Sequence, residues 1–134
     1  MRVFSAMLMP LVLTVSAAAQ DVDVSDQAIA AIVQEAEIDS GVASYYGREL
    51  AGNRTANGER FNPDELTAAH RTLAFGSKVR VTNTATGDSV IVRINDRGPF
   101  HRGRVIDVSH AAAREIGMHR SGTARVKLAL LNDD

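Results

Sequence analysis

The sequence predicts a mainly β protein, a compact barrel of five or six short strands with one or two short helices. Three observations carry this. Lys78–Asn83 and Ala124–Leu130 alternate apolar and polar residues with the period of two that a half-buried strand requires. Ser89–Ile94 is β-branched and nearly all apolar, so it reads as a stiff, buried strand. Between the first and last of these runs, Thr84–Asp88 supplies a hairpin turn around Gly87.

The chain opens on what reads as an export signal. Arg2 gives the positive start, Met7–Leu13 the apolar centre and Ala17-Ala18-Ala19 a small-residue cleavage site, placing the signal at residues 1–19. The apolar run is shorter than the ~20 residues that span a bilayer. An exported, soluble mature protein without a membrane anchor, outside the cytoplasm, is therefore expected. No cysteine is present, which excludes disulfides, thiolate metal sites and a lipidated cysteine. What remains after cleavage, about 115 residues, suffices for one domain with its own core.

Residues 20–40 form an acidic leader with six carboxylates and no Lys or Arg. Ser25 could cap a short amphipathic helix through Ala28, Ile29, Ile32, Val33 and Ala36, the alternative being a frayed leader. Residues 41–134 make the folded domain and hold 14 Lys and Arg against 10 Asp and Glu, a net +4. This mild basicity suits an anionic polymer surface, and it lacks the dense patch that nucleic acid would need.

Gly41–Tyr46 is the first strand of that domain. If it is regular, Tyr45 and Tyr46 point to opposite faces, one into a groove and one into the packing; Tyr45 is assigned to the groove. A long connection over 47–64 follows, of the kind that tends to carry function, and within it Asn57-Gly58 marks a tight turn presenting Glu59. Leu66–Ala69 is a short apolar run ending at His70. Val105–Val108 is a further short strand. Ser109 then caps a helix through Ile116, and Gly117 stops it. Phe75 is expected in the core, and His101, His110 and His119 at the surface.

The chain reads as organised around Arg93–Phe100, where the apolar strand breaks into a turn at Asp96 before Gly98-Pro99 ends it. Taken alone, Asp96 reads first as a turn residue bonded to its own backbone beside a solvated Arg97, ahead of a catalytic role. Glu59 alone reads as a solvated carboxylate, and His70 as a satisfied turn or core residue.

Seven segments bear on that choice: Gly41–Gly47, Thr55–Glu59, Leu66–His70, Leu73–Gly76, Val79–Asn83, Arg93–Phe100 and Ile106–Ser109. In order and spacing, they resemble the rare lipoprotein A (RlpA) family across residues 41–131. The resemblance implies a six-stranded double-psi β-barrel, the fold of expansins, barwin and one group of endoglucanases. It also implies a periplasmic lytic transglycosylase acting on peptidoglycan glycan strands stripped of stem peptides. Some family members have no demonstrated activity.

Carried over by motif, Asp96 would be the catalytic acid, Glu59 its partner carboxylate and His70 a third member, with Tyr45, Asn57, Asn95 and Arg97 binding substrate. Cleaving a MurNAc–GlcNAc bond needs a proton for the leaving oxygen and stabilisation of an oxocarbenium-like transition state, work for two carboxyl groups. Two in one groove would push their proton affinities apart. With Phe61, Phe75 and Phe100 as the only other aromatics beyond the signal, the sugar-stacking platform is thin. No metal or organic cofactor is implied, and a monomer is expected. The family's lipidated cysteine and C-terminal sporulation-related repeat have no counterpart here, so substrate capture is expected to rest on the barrel. The alternatives are a non-catalytic, expansin-like wall-binding module and an endoglucanase-type hydrolase.

Overall fold

The computed structural model describes residues 35–131; the signal peptide at 1–19 and the helix expected around Ser25 lie outside them. Six strands close a barrel: β1 (Glu35–Tyr45), β2 (Thr67–Ala69), β3 (Lys78–Asn83), β4 (Ser89–Asp96), β5 (Arg104–Val108) and β6 (Ala124–Leu131). Their order around the barrel is β1-β5-β2-β4-β3-β6. β1 with β5 and β2 with β4 are parallel, and the remaining neighbours are antiparallel. This closed, six-stranded arrangement is the double-psi β-barrel expected from the resemblance.

Two strand boundaries differ from expectation. β1 reaches back to Glu35, because Glu35–Ala43 pairs along β6, so the last acidic residues of the 20–40 segment are sheet and not leader. β4 continues through Asn95 and Asp96, so Asp96 sits at the end of a strand rather than in the turn after it. The sixth strand is the three-residue run Thr67–Ala69, all buried and too short for its periodicity to be read.

Inward positions of every long strand fill the barrel: Val79 and Val81, Val90, Val92 and Ile94, Ile106 and Val108, Val126 and Leu128. β4 is buried on one face only. Ile91 remains 36% exposed, because the outer face of a small barrel meets solvent however apolar the sequence. The helix α1 (His110–Glu115) closes one end, with Ala112, Ala113, Ile116 and Met118 joining the core. It is capped as expected: the Ser109 hydroxyl accepts from Ala112 N at 3.2 Å. Gly117 follows at φ +73°, where glycine is favoured. Asn83 ties β3 to this end by donating to Ile116 O at 2.8 Å. No helix among the described residues is long and apolar enough to cross a membrane.

Ile94 is fully buried. Ile94→Ala should cost about 3 kcal/mol, the usual loss of transfer free energy plus residual cavity. Urea denaturation followed by circular dichroism checks this; a change below 1 kcal/mol would mean the barrel collapses around the gap.

Candidate active site

The end of β4 is built by a bulge. Thr67 and Ala68 pair with Arg93 and Ile94, but Ala69 pairs with Asp96, so Asn95 is an extra residue opposite β2. Such an insertion bends a strand and re-aims its side chains. Here Asn95 is buried beside the equally buried Ile94, and Asp96 is delivered to the outer, partly exposed face.

Three donors converge on the Asp96 carboxylate. Oδ1 accepts from Ala56 N at 2.8 Å and from its own neighbour Arg97 N at 2.9 Å. Oδ2 accepts from the Tyr46 hydroxyl in a short hydrogen bond. Tyr46 is in turn fixed by its ring, 4.9 Å from that of the buried Phe61. Burial first, and then the bond to Asp96, hold the phenol proton on far above the ordinary tyrosine range, so Tyr46 is a permanent donor at any working pH. Asp107, on β5, also pairs with Ala69, so the two aspartates flank that alanine on neighbouring strands. The Asp107 carboxylate accepts a short bond from Ser44.

The sequence assigned the groove to Tyr45, and this is corrected. Alternation does send the two tyrosines to opposite sides, but it is Tyr45 that packs on the core, its hydroxyl donating to His119 O at 2.6 Å. Position 43 fixes the phase: Ala43 is fully buried in the core, so 45 points inward and 46 outward.

Glu59 is held differently from Asp96. Residues 54–60 fold as a small hairpin, with Arg54 and Arg60 bridged and Gly58 at φ +95° where a side chain would be strained. The hairpin docks on β4 through Asn57 N to Asn95 O, 3.3 Å, besides the bond to Asp96. Glu59 there meets Arg93 in a bidentate pair, Nη1–Oε2 2.6 Å and Nη2–Oε1 3.0 Å. Asn57 Nδ2 adds a bond at 2.8 Å and Asn95 Nδ2 one at 3.3 Å. These donors, Arg93 foremost, pull the Glu59 carboxyl down to about 2. Its proton affinity is set by this clamp and not by repulsion from Asp96, as the sequence reading expected.

Asn57 and Asn95 are consequently wired to Glu59. Asn95, only 3% exposed, cannot reach a sugar, which corrects its assignment to substrate. Arg97 is likewise engaged: Nη1 donates to Leu73 O at 2.7 Å and His70 O at 3.2 Å, while its guanidinium lies 4.0 Å above the Phe75 ring. Phe75 is therefore 41% exposed under that cation instead of in the core. His110 and His119, expected at the surface, are half-buried, His110 edge-on to Tyr45 at 5.7 Å.

His70 joins the site through its backbone, His70 N donating to Asp96 O at 3.2 Å. Its Nδ1 accepts from Thr72 N and Leu73 N at 3.1 and 3.2 Å, which leaves the proton on Nε2. Burial lowers its proton affinity, Arg97 and Arg71 add to that and Asp39 opposes it. His70 lines a cleft together with Asp39, Arg71 and Arg104. Sequence reasoning missed Tyr46 and Arg93 as the partners of the two carboxylates. The one signal for Arg93 was a cation inside an otherwise apolar strand. Among the described residues, no group of three His, Asp or Glu side chains could hold a metal ion.

Comparison with known proteins matches residues 38–128 to a lytic transglycolase family model. A probable endolytic peptidoglycan transglycosylase RlpA of Synechocystis sp. is 62% identical over 94 residues, 70% of this chain and 29% of that protein. The endolytic peptidoglycan transglycosylase RlpA of Vibrio cholerae serotype O1 is 51% identical over 96 residues, 72% of this chain and 36% of that protein. The chain thus spans only about a third of the length of these curated relatives. Among solved structures, the apo expansin of Clavibacter michiganensis superposes with a TM-score of 0.58 at 19% identity, covering 75% of this chain and 52% of that one, a likeness of fold.

Proposed function

This chain belongs to the rare lipoprotein A family of double-psi β-barrel domains, and we propose that it is an exported, periplasmic lytic transglycosylase. Its substrate is the MurNAc–GlcNAc bond of peptide-denuded glycan strands, cut endolytically to leave 1,6-anhydro ends. The observation that carries this reading is the Asp96 carboxylate, partly exposed at the bulged end of β4 and oriented by three donors. A binding module has no need to hold one carboxylate so firmly at the surface.

In this mechanism Asp96 protonates the leaving glycosidic oxygen. It then takes the proton of the muramyl C6 hydroxyl as that oxygen attacks the anomeric carbon, so one residue acts as acid and then as base. Glu59, kept ionised by Arg93, presents the negative end of the Glu59–Arg93 pair in the same groove while positive charge builds on the sugar. Tyr46 is a positioning residue: it does not exchange its proton but aims the carboxylate that does.

Release of soluble glycan from amidase-treated, peptide-free strands tests both roles. Tyr46→Phe should lower kcat by about tenfold with KM unchanged, the loss of one charge-assisted hydrogen bond made to the reacting group. Equal kcat values would remove Tyr46 from the mechanism. A wild-type protein that released nothing would remove the mechanism itself.

A further inference from the structure

Alongside Asp96, a half-open cleft is lined by Asp39, His70, Arg71, Thr72, Arg104 and Val105. It shares an edge with the active site, because His70 bonds the Asp96 backbone and Arg97 bonds that of His70. Its cations have different work. Arg71 is occupied in holding the loop before β5, donating from Nε to Pro99 O at 2.7 Å and from Nη2 to Arg104 O at 2.9 Å. The Arg104 guanidinium, by contrast, has no hydrogen-bond or ion-pair partner among the described residues. Asp39, on the neighbouring strand β1, accepts from Ser40 N at 2.8 Å. With its Nδ1 turned to the backbone, the neutral His70 ring has a single N–H left to donate.

We propose that this cleft receives a carboxylate, and that in use it is the free lactyl carboxylate of the muramic residue bound next to Asp96. The inference rests on the glycan reading above. A guanidinium without a partner and an imidazole donor beside a reaction centre are the groups that a carboxylate pairs with. The chemistry of the polymer then gives the cleft a purpose. In a denuded strand each lactyl group ends in a free carboxylate. Where a stem peptide is attached, the same carboxyl is an amide with no charge to pair with Arg104. Arg104 thereby makes removal of the stem peptide a condition for tight binding.

The test uses denuded strands with the lactyl carboxylates free or capped as methylamides. The Asp96→Asn protein, which holds strands without turnover, should sediment with free strands about tenfold more tightly than with capped ones, the worth of one charge-assisted contact. Adding Arg104→Gln should bring free strands down to the capped level, and Arg104→Lys should keep most of the preference by keeping the charge. Equal affinity for the two strands, or a preference that survives Arg104→Gln, would overturn the proposal. Strands bound with this preference but left uncut by the wild-type protein would sink the catalytic reading and leave the cleft assignment standing.

Discussion

Asp96→Asn should reduce glycan cleavage by roughly 10³-fold while leaving the barrel as stable as the wild type, because a proton carrier used twice in one reaction is lost. The amide can keep the local geometry. Its oxygen accepts from Ala56 N and Arg97 N as the carboxylate oxygen does, and only the bond with Tyr46 must rearrange. The rate and the unfolding curve should therefore separate, and both need to be measured. A wild-type rate would place the chemistry elsewhere; a large fall in stability would make Asp96 a structural residue of the bulge.

Glu59→Gln should slow cleavage by about 10²-fold, since a fixed charge near the developing oxocarbenium ion is removed. It should also change how stability depends on pH. The Glu59 carboxyl is lowered from its ordinary 4.5 to about 2 in the folded state. Its contribution is thus fully present above the unfolded value of 4.5 and is lost as the pH falls toward 2. Both partners of the pair are 36% exposed, so solvent screening limits the contribution to about 1 kcal/mol or less. The wild-type Tm should fall more between pH 5 and pH 2 than that of Glu59→Gln. Parallel curves would mean that Arg93 does not hold Glu59 in solution as it does here.

Much of the barrel was legible because its long strands obey simple alternation. β3 and β6 read directly from their period, and the capped helix from Ser109 and Gly117. What could not be read came from pairing. Thr67–Ala69 is too short for a period, and β1 extends to Glu35 only because β6 is there to pair with it. The bulge at Asn95 exists between strands and has no signature in either one. At the site, the family motifs brought Glu59, Asp96 and His70 forward as residues. Their environments were hidden: the clamp on Glu59 comes from a strand 34 positions away, and the phenol on Asp96 from a residue 50 positions away, just past the end of β1. Choosing between Tyr45 and Tyr46 needed the phase of β1, which Ala43 and its pairing with β5 set.

One measurement bears most directly on the central claim: mass spectrometry of the products after the wild-type protein is incubated with peptide-free glycan strands. The Asp96 mechanism predicts fragments ending in 1,6-anhydroMurNAc, lighter by one water than hydrolytic products, because the C6 hydroxyl of the same sugar is the nucleophile. Fragments with ordinary reducing ends would contradict it, making the enzyme a hydrolase in which a carboxylate activates water on the opposite face of the sugar. Intact strands that still sediment with the protein would contradict catalysis altogether and identify the barrel as a glycan-binding module.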